Sequence, residues 1–122
     1  MEAKDLPAAR ELLAVDVVFR SPVVFKPYEG HDAVLGVLGA ALRVFEDFRY
    51  VEQLESGDAA VLMFEARVGD RDLQGVDILR FDGGDLVREL VVMVRPMSGL
   101  NTLAEAMQRQ LESATAGAAE AD

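Results

Sequence analysis

The sequence predicts an α+β fold in which an antiparallel sheet packs against helices. Two segments with helical spacing of apolar residues come first, and the clearer one begins at His31-Asp32. Four strand-like runs follow, joined by short polar turns, and a last helical segment begins at about Asn101. Because 122 residues lie in the size range of one domain, we expect a single domain over residues 1–112 and a flexible tail over 113–122.

The N-terminal third should supply the helices that precede the sheet. A first helix is predicted from Asp5 to about Ala14, because a capping carboxylate followed by a proline is typical of helix N-termini. A short strand over 17–20 should stop at Ser21-Pro22, and the segment 23–30 is expected to be a loop or an edge strand.

The predicted sheet contains strands over residues 48–54, 59–68, 73–81 and 86–95. The connections Glu55–Asp58, Gly69–Asp72 and Asp82–Asp85 are short and rich in glycine and aspartate, as in hairpin turns. The last of them lacks the spaced ligands and distal glutamate of a calcium loop, so we interpret it as a plain turn.

Composition excludes several function classes. The chain has no cysteine and a single histidine, so disulfides, thiolate nucleophiles and multi-histidine metal sites are excluded, and we expect no metal and no cofactor. The net charge is −10 without a basic cluster, so nucleic acid is not an expected partner. No apolar run approaches the roughly 18 residues of a membrane span, and the charged start lacks a signal peptide. We therefore expect a cytoplasmic protein that does not bind membranes.

Asp77 stands out because it interrupts the apolar strand Gly75–Leu79. A buried ionised carboxylate is costly unless it is paired or its pKa is raised. One interpretation is structural: Asp77 pairs with Arg80 or Arg95, or forms a hydrogen bond to the last strand. The other is functional: Asp77 is a pocket carboxyl that binds or protonates a ligand oxygen.

Both faces of the predicted sheet are apolar. Leu79 and Phe81 lie on one face, and Val76 and Ile78 lie on the other. Such a sheet needs cover on both sides. Helices can cover one face around a concave pocket, and a second copy of the chain can cover the other, which predicts a homodimer through the outer sheet face.

The stretch from Gly75 to Gly83, preceded by Phe64-Glu65, resembles the ketosteroid-isomerase pattern of an aspartate before an aromatic-flanked strand end and a glycine turn. The order of elements is similar to that of the nuclear-transport-factor-2-like or SnoaL-like superfamily. The resemblance implies a cone-shaped α+β barrel, in which a curved antiparallel sheet wraps around the N-terminal helices and carries a C-terminal helix. It also implies dimerisation through the sheet.

Carried over residue by residue, this resemblance places Asp77 where ketosteroid isomerases keep a protonated aspartic acid that donates to an oxyanion. The general-base aspartate of that family falls on Ser21, and a serine is not a base on its own. The tyrosine of the family's longer first helix has no counterpart. The epoxide-hydrolase branch is matched only by a displaced pair, Glu65 and Arg67, and the pocket acid of the polyketide-cyclase branch is matched by Asp77 or Glu89.

Two functions follow as hypotheses. The first is binding of a small hydrophobic, oxygenated molecule, such as a terpenoid, steroid or polyketide, in an apolar conical pocket. The second is an isomerase, lyase, cyclase or epoxide hydrolase that uses Asp77 as acid or oxyanion donor, with His31 or Glu89 as proton partner. His31 is otherwise a helix cap or a rim residue. The expected ligand-binding residues are Phe19, Ser21, Tyr28, Leu38, Leu42, Phe45, Leu62, Phe64, Glu89, Val91 and Met93.

Overall fold

The computed structural model describes residues 11–121, with side chains as far as residue 112. Within that range the chain forms, in order, β1 (Leu13–Arg20), β2 (Tyr28–Glu29), α1 (His31–Val44), β3 (Glu46–Ser56), β4 (Ala59–Val68), β5 (Arg71–Phe81), β6 (Val87–Arg95) and α2 (Met97–Ala121). The predicted helix at His31 and the four predicted strands from β3 to β6 are therefore all present.

The strands form one sheet in the order β2-β1-β6-β5-β4-β3. Neighbouring strands are antiparallel except β1 and β6, which run parallel. The predicted antiparallel pairing of β3 to β6 is present, and the parallel pairing of β1 with β6 is an addition that the sequence did not predict. It arises because α1 leads the chain to β3 at the far edge of the sheet, from which three hairpins return it to β6 beside β1. Irregular pairing in β3, between Tyr50 and Glu52, and in β1 adds local bends. The predicted α+β cone, a curved and open sheet packed against helices, is confirmed.

Two element boundaries differ from the prediction. Glu11 and Leu12 are helical, but β1 begins already at Leu13, because Leu13 is buried and pairs with Val87 of β6. Residues 5–10 of the predicted first helix lie outside the described residues. The last helix begins four residues earlier than expected, at Met97, directly after Pro96.

The C-terminal helix also differs in its first turn and in its length. The hydroxyl of Thr102 donates to the carbonyl of Ser98 (3.1 Å), so Thr102 lies within the helix and does not cap it. The backbone of α2 is helical as far as Ala121 and includes residues 113–121, for which the sequence predicts a flexible tail.

The buried core consists of two clusters. The first joins β1, α1 and β6 and contains Leu13, Val17, Phe19, Val34, Val37, Val87 and Leu90. The second joins the end of α1, β4, β5 and α2 and contains Val44, Phe64, Ala66, Val68, Leu73 and Leu103. Val92 and Met107 pack against both clusters. The inner face of the sheet is therefore held at two places, and a space remains between them.

None of the helices described in residues 11–121 is both long enough and apolar enough to cross a membrane.

Candidate functional site

A cavity of about 320 Å³ lies between the inner face of the sheet and the two helices. Its wall is mostly apolar, with side chains from α1, α2 and every strand except β2. Five polar side chains belong to this wall among the described residues: Ser21, Tyr50, Gln53, Glu55 and Asp77. The volume is within the range of pockets that bind drug-sized molecules.

Asp77 and seven of the residues predicted to bind a ligand lie in this wall. The seven are Phe19, Ser21, Leu38, Leu42, Phe45, Leu62 and Phe64. They come together because α1 presents two sides to the rest of the protein. One side is buried in the core, and the other, with Leu38 and Leu42, faces the cavity.

Three residues of β6 that we predicted to face the pocket lie on the other side of the sheet. Val92 pairs with Asp77 and Leu90 pairs with Leu79, so Leu90 and Val92 share the cavity face with Asp77. Since successive side chains alternate between faces, Glu89, Val91 and Met93 point outward. The prediction for these three residues chose the wrong face of β6. The strand has apolar residues on both faces, so the sequence alone does not show which face is inner.

Tyr28 and His31 are absent from the cavity wall. Tyr28 lies in β2 and stacks on Phe19, with ring centroids 6.0 Å apart. His31 is the first residue of α1, and its Nδ1 lies 4.0 Å from the carboxylate of Asp32. The structure therefore gives His31 the helix-terminus position that we considered as its alternative, away from Asp77.

Asp77 is hydrogen-bonded to a tyrosine that we did not single out. The phenol of Tyr50 on β3 donates to Oδ2 of Asp77 at 3.1 Å, across the intervening strand β4. The predicted arginine partners pair elsewhere on the outer face: Arg80 approaches Glu89, and Arg95 donates to Gln74. Within the described part of the chain, the Asp77 side chain forms its hydrogen bond through Oδ2, and Oδ1 has no partner. Every fully enclosed side-chain nitrogen or oxygen in the described residues does have a partner, so Oδ1 is not enclosed. Oδ1 is thus open to the cavity.

The surroundings of the Asp77–Tyr50 pair favour its neutral form. Burial among apolar side chains raises the pKa of the Asp77 carboxyl from 3.8 to about 6, although the hydrogen bond from Tyr50 acts in the opposite direction. Burial, and then the charge of Asp77, raise the pKa of the Tyr50 phenol above its usual value, so Tyr50 remains a donor. Near neutral pH, Asp77 can therefore hold or release a proton at Oδ1.

This raised pKa makes stability depend on pH. Because the folded-state pKa lies above the unfolded value of 3.8, the Asp77 contribution to stability is fully present below that value and is lost as the pH rises through about 6. The difference in unfolding free energy between Asp77→Asn and wild type should therefore change by roughly 2 kcal/mol in favour of the variant from pH 4 to pH 8, because only the wild type loses this contribution. Urea unfolding at both pH values measures this. Asp70→Asn is the control, since the Asp70 side chain is 96% exposed; an equal gain there would contradict the assignment.

An aromatic cluster fixes the wall beside Asp77. Phe48 stacks on Phe64 with centroids 4.8 Å apart and meets Tyr50 edge-on at 5.1 Å. The ring of Phe64 lies directly over Gly75, where an added Cβ would come within 2.3 Å of the ring. Glycine at position 75 is thus required for the ring to reach its place. The cluster holds Tyr50 where it can donate to Asp77.

The sequence analysis missed the three polar residues of β3 in the wall, Tyr50, Gln53 and Glu55. Strict alternation from Phe48 would place 48, 50, 52 and 54 on one face. The pairing of β3 with β4 shifts between Tyr50 and Glu52, so Gln53 and Glu55 follow Tyr50 on the inner face. The sequence offered one indication: Tyr50 lies two positions after Phe48 and therefore on the same face of the strand.

Ser21 occupies the position of the base that the resemblance implied. Its Oγ accepts hydrogen bonds from the backbone amides of Val23 (2.9 Å) and Val24 (3.3 Å). The side chain thereby stabilises the turn after β1. Both lone pairs of the hydroxyl are occupied, so Ser21 cannot accept a proton from a ligand in this arrangement.

A family model described as a SnoaL-like domain matches residues 1–89. The chain belongs to the SnoaL-like family. The predicted resemblance to the nuclear-transport-factor-2-like superfamily is thereby confirmed. No curated protein is similar enough to this SnoaL-like chain to count as a match.

Solved structures agree with this membership. A crystal structure of a steroid delta-isomerase from Pseudomonas aeruginosa is 50% identical, covers 93% of this chain and 84% of its own, and has a TM-score of 0.89. An uncharacterised bacterial protein with a cystatin-like fold from Silicibacter pomeroyi is 35% identical, with 90% and 79% coverage and a TM-score of 0.87. A protein of unknown function from Mesorhizobium loti, called NTF2-like, is 21% identical, covers 76% of this chain and 80% of its own, and has a TM-score of 0.67. At this identity the likeness supports only the shared fold.

Proposed function

We propose that this SnoaL-like protein binds a small apolar molecule carrying an oxygen acceptor, and that Asp77 donates its proton to that oxygen. The observation that carries the proposal is the largely buried acid Asp77 in a mostly apolar wall, with Oδ2 held by Tyr50 and Oδ1 open to the cavity. An acid in this setting binds a ligand carbonyl best when it is protonated, because the carbonyl oxygen can only accept.

The class of ligand follows from the wall. Apolar side chains from both helices and from the sheet favour a rigid hydrocarbon body, since burial of such a body releases about 25 cal/mol per Å² of apolar surface. The 50% identical protein named a steroid delta-isomerase supports a steroid-like ketone. Terpenoid and polyketide ketones of similar size share this chemistry.

A thermal-shift comparison of two matched compounds tests the proposal. Androst-4-en-3-one carries one ketone, and 5α-androstane has a comparable saturated skeleton without oxygen. A ligand present at a hundred times its dissociation constant stabilises a protein by about 2.7 kcal/mol, which raises the Tm of a domain of this size by several degrees. We expect a larger shift with the ketone. Equal shifts, or no shift with either compound, would contradict the proposal.

Catalysis of a steroid-type isomerisation is a second candidate, favoured by the relative's printed name and by the open Oδ1 of Asp77. In that role a water molecule in the cavity would take a proton from the carbon next to the ketone and a proton would return at the far end of the conjugated system, while Asp77 donates to the oxyanion formed in between. Ser21 is not available as the base. The test is conversion of 5-androstene-3,17-dione to its conjugated isomer, followed by ultraviolet absorbance. Turnover lost in Asp77→Leu would support catalysis; its absence in wild type would leave binding as the function.

We also propose that the outer face of the sheet joins two copies of the chain. Two rows of paired residues form an apolar patch across β4, β5 and β6: Met63, Val76 and Met93, and beside them Val61, Ile78 and Val91. Met93 is 55% exposed and Met63 is 38% exposed. Charged pairs flank both sides of the patch, Arg80 with Glu89 on one and Arg49 with Glu65 on the other. An apolar centre with a polar rim is typical of protein interfaces.

Met93→Arg should convert the protein to a monomer, because a two-fold axis brings the patch against its own copy and places like charges in an apolar centre. Light scattering coupled to size exclusion at micromolar concentration measures the mass. Phe25→Arg is the control, because Phe25 is 99% exposed in the loop after β1 and lies outside the patch. A wild-type mass of one chain would exclude this dimer.

A further inference from the structure

The inner face of β3 carries two polar residues that the proposed function does not use. Gln53 and Glu55 both belong to the cavity wall and are exposed at its open side. Nε2 of Gln53 donates to Oε1 of Glu55 at 2.8 Å. Among the described residues, Glu55 forms no ion pair with a lysine or arginine. The second carboxylate oxygen of Glu55 therefore has capacity to accept a hydrogen bond from a bound molecule.

The register of the sheet sets the distance from this pair to Asp77. Gln53 pairs with Leu62, and Leu62 pairs with Asp77, while Glu55 pairs with Ala60 in the next row. Two strand spacings separate β3 from β5, about 10 Å, and one step of two residues adds about 7 Å along the strand. The Cα atoms of Asp77 and Glu55 are therefore separated by roughly 12 Å.

This separation decides what Glu55 can do. A base that acts on the carbon next to a carbonyl must lie within hydrogen-bond reach of that carbon's proton. At this Cα separation, Glu55 is instead placed to meet a group farther along a ligand whose ketone is held by Asp77. Between the two acids the floor of the cavity is apolar, formed by Leu62, Ala60 and Leu79. The cavity thus has polar groups at two ends of an apolar floor.

We propose that Gln53 and Glu55 form a second polar subsite, which binds a hydroxyl group at the far end of a ligand whose ketone is held by Asp77. The inference rests on the proposed function, because it assumes that Asp77 fixes the first end. The ligand class becomes a rigid, elongated hydrocarbon with an acceptor oxygen at one end and a hydroxyl donor at the other.

The carboxylate makes this subsite selective. A ligand hydroxyl donates to Glu55 in a charge-assisted hydrogen bond, which is stronger than a neutral one. A ketone at the same end cannot donate to Glu55, and it can accept only the weaker, neutral hydrogen bond from the second N–H of Gln53. Because the subsite is exposed and water competes there, we expect a preference for the hydroxyl of about tenfold in the dissociation constant.

Three steroids that differ only at this end provide the probes: testosterone with a hydroxyl, androstenedione with a ketone and androst-4-en-3-one with neither. Calorimetric titration of wild type should give testosterone the lowest dissociation constant, about tenfold below that of androstenedione. Glu55→Gln should abolish the preference, since an amide both donates and accepts. Asp77→Leu should weaken all three probes by the same factor and preserve the preference.

The outcomes separate this subsite from the proposed function. Equal dissociation constants for the three probes in wild type, together with weakening in Asp77→Leu, would overturn the subsite and leave the proposed function intact. A preference that persists in Glu55→Gln would also overturn the subsite. Failure of wild type to bind any of the three would overturn both.

Discussion

Asp77→Leu should weaken the binding of androst-4-en-3-one by about 5- to 150-fold, because a buried acceptor left without its hydrogen bond costs roughly 1–3 kcal/mol. The wild-type acid lies in an apolar wall and presents Oδ1 to the cavity. Leucine introduces an apolar side chain there and removes the donor, and the ketone oxygen is then desolvated without a partner. Calorimetric titration at pH 5.5 measures the loss.

Asp77→Asn is the matched variant for this prediction. Its amide donates a hydrogen bond at every pH and can still accept from Tyr50, so its affinity at pH 5.5 should lie close to that of wild type. An affinity for the ketone that is the same in wild type, Asp77→Asn and Asp77→Leu would mean that Asp77 is a structural residue of the wall.

Phe64→Ala should cost about 3–5 kcal/mol of unfolding free energy, the range expected for a buried aromatic ring. Phe64 is 1% exposed, packs on Phe48 and Phe45, and belongs to the core cluster shared by β4, β5 and α2. Urea unfolding measures the loss, and Phe64→Leu should cost much less because it keeps most of the volume. Val15→Ala is the exposed control, since Val15 is 83% exposed.

A double-mutant cycle with Gly75 sharpens this test. Gly75→Ala alone should cost about 1–3 kcal/mol, because the new Cβ would meet the Phe64 ring at 2.3 Å and must displace it. Part of that cost disappears once the ring is removed, although the carbonyl of Met93 still lies 2.7 Å from the Cβ position. The double variant should therefore lose less stability than the sum by about 0.5 kcal/mol or more. Strict additivity would contradict the described contact.

The sequence predicted the order of elements well because local signals specify it. Glycine and aspartate turns bound β4 and β5, and the prediction for β4 matches the observed strand, Ala59–Val68. The parallel pairing of β1 with β6 was not predictable, because it depends on α1 leading the chain to the far edge of the sheet, from which the hairpins end beside β1. Local periodicity contains no information on that path.

The candidate site was predictable only in part. Asp77 was identified because a lone acid in an apolar strand is costly, and its place in the wall agrees with that reasoning. The face of β6 was assigned wrongly because Val91 and Val92 are equally apolar, so only the pairing of Asp77 with Val92 decides between them. Tyr50 was missed because a contact across β4 joins residues 27 positions apart.

The measurement that tests the central claim most directly is the pH dependence of wild-type affinity for androst-4-en-3-one, a ketone that does not itself titrate. If protonated Asp77 binds the ketone, the dissociation constant should be nearly constant below the free-protein pKa of about 6. Above that pH it should rise about tenfold per unit, as the protonated fraction falls. Asp77→Asn should show no such rise. A wild-type dissociation constant that stays the same from pH 5 to pH 8 would contradict the account.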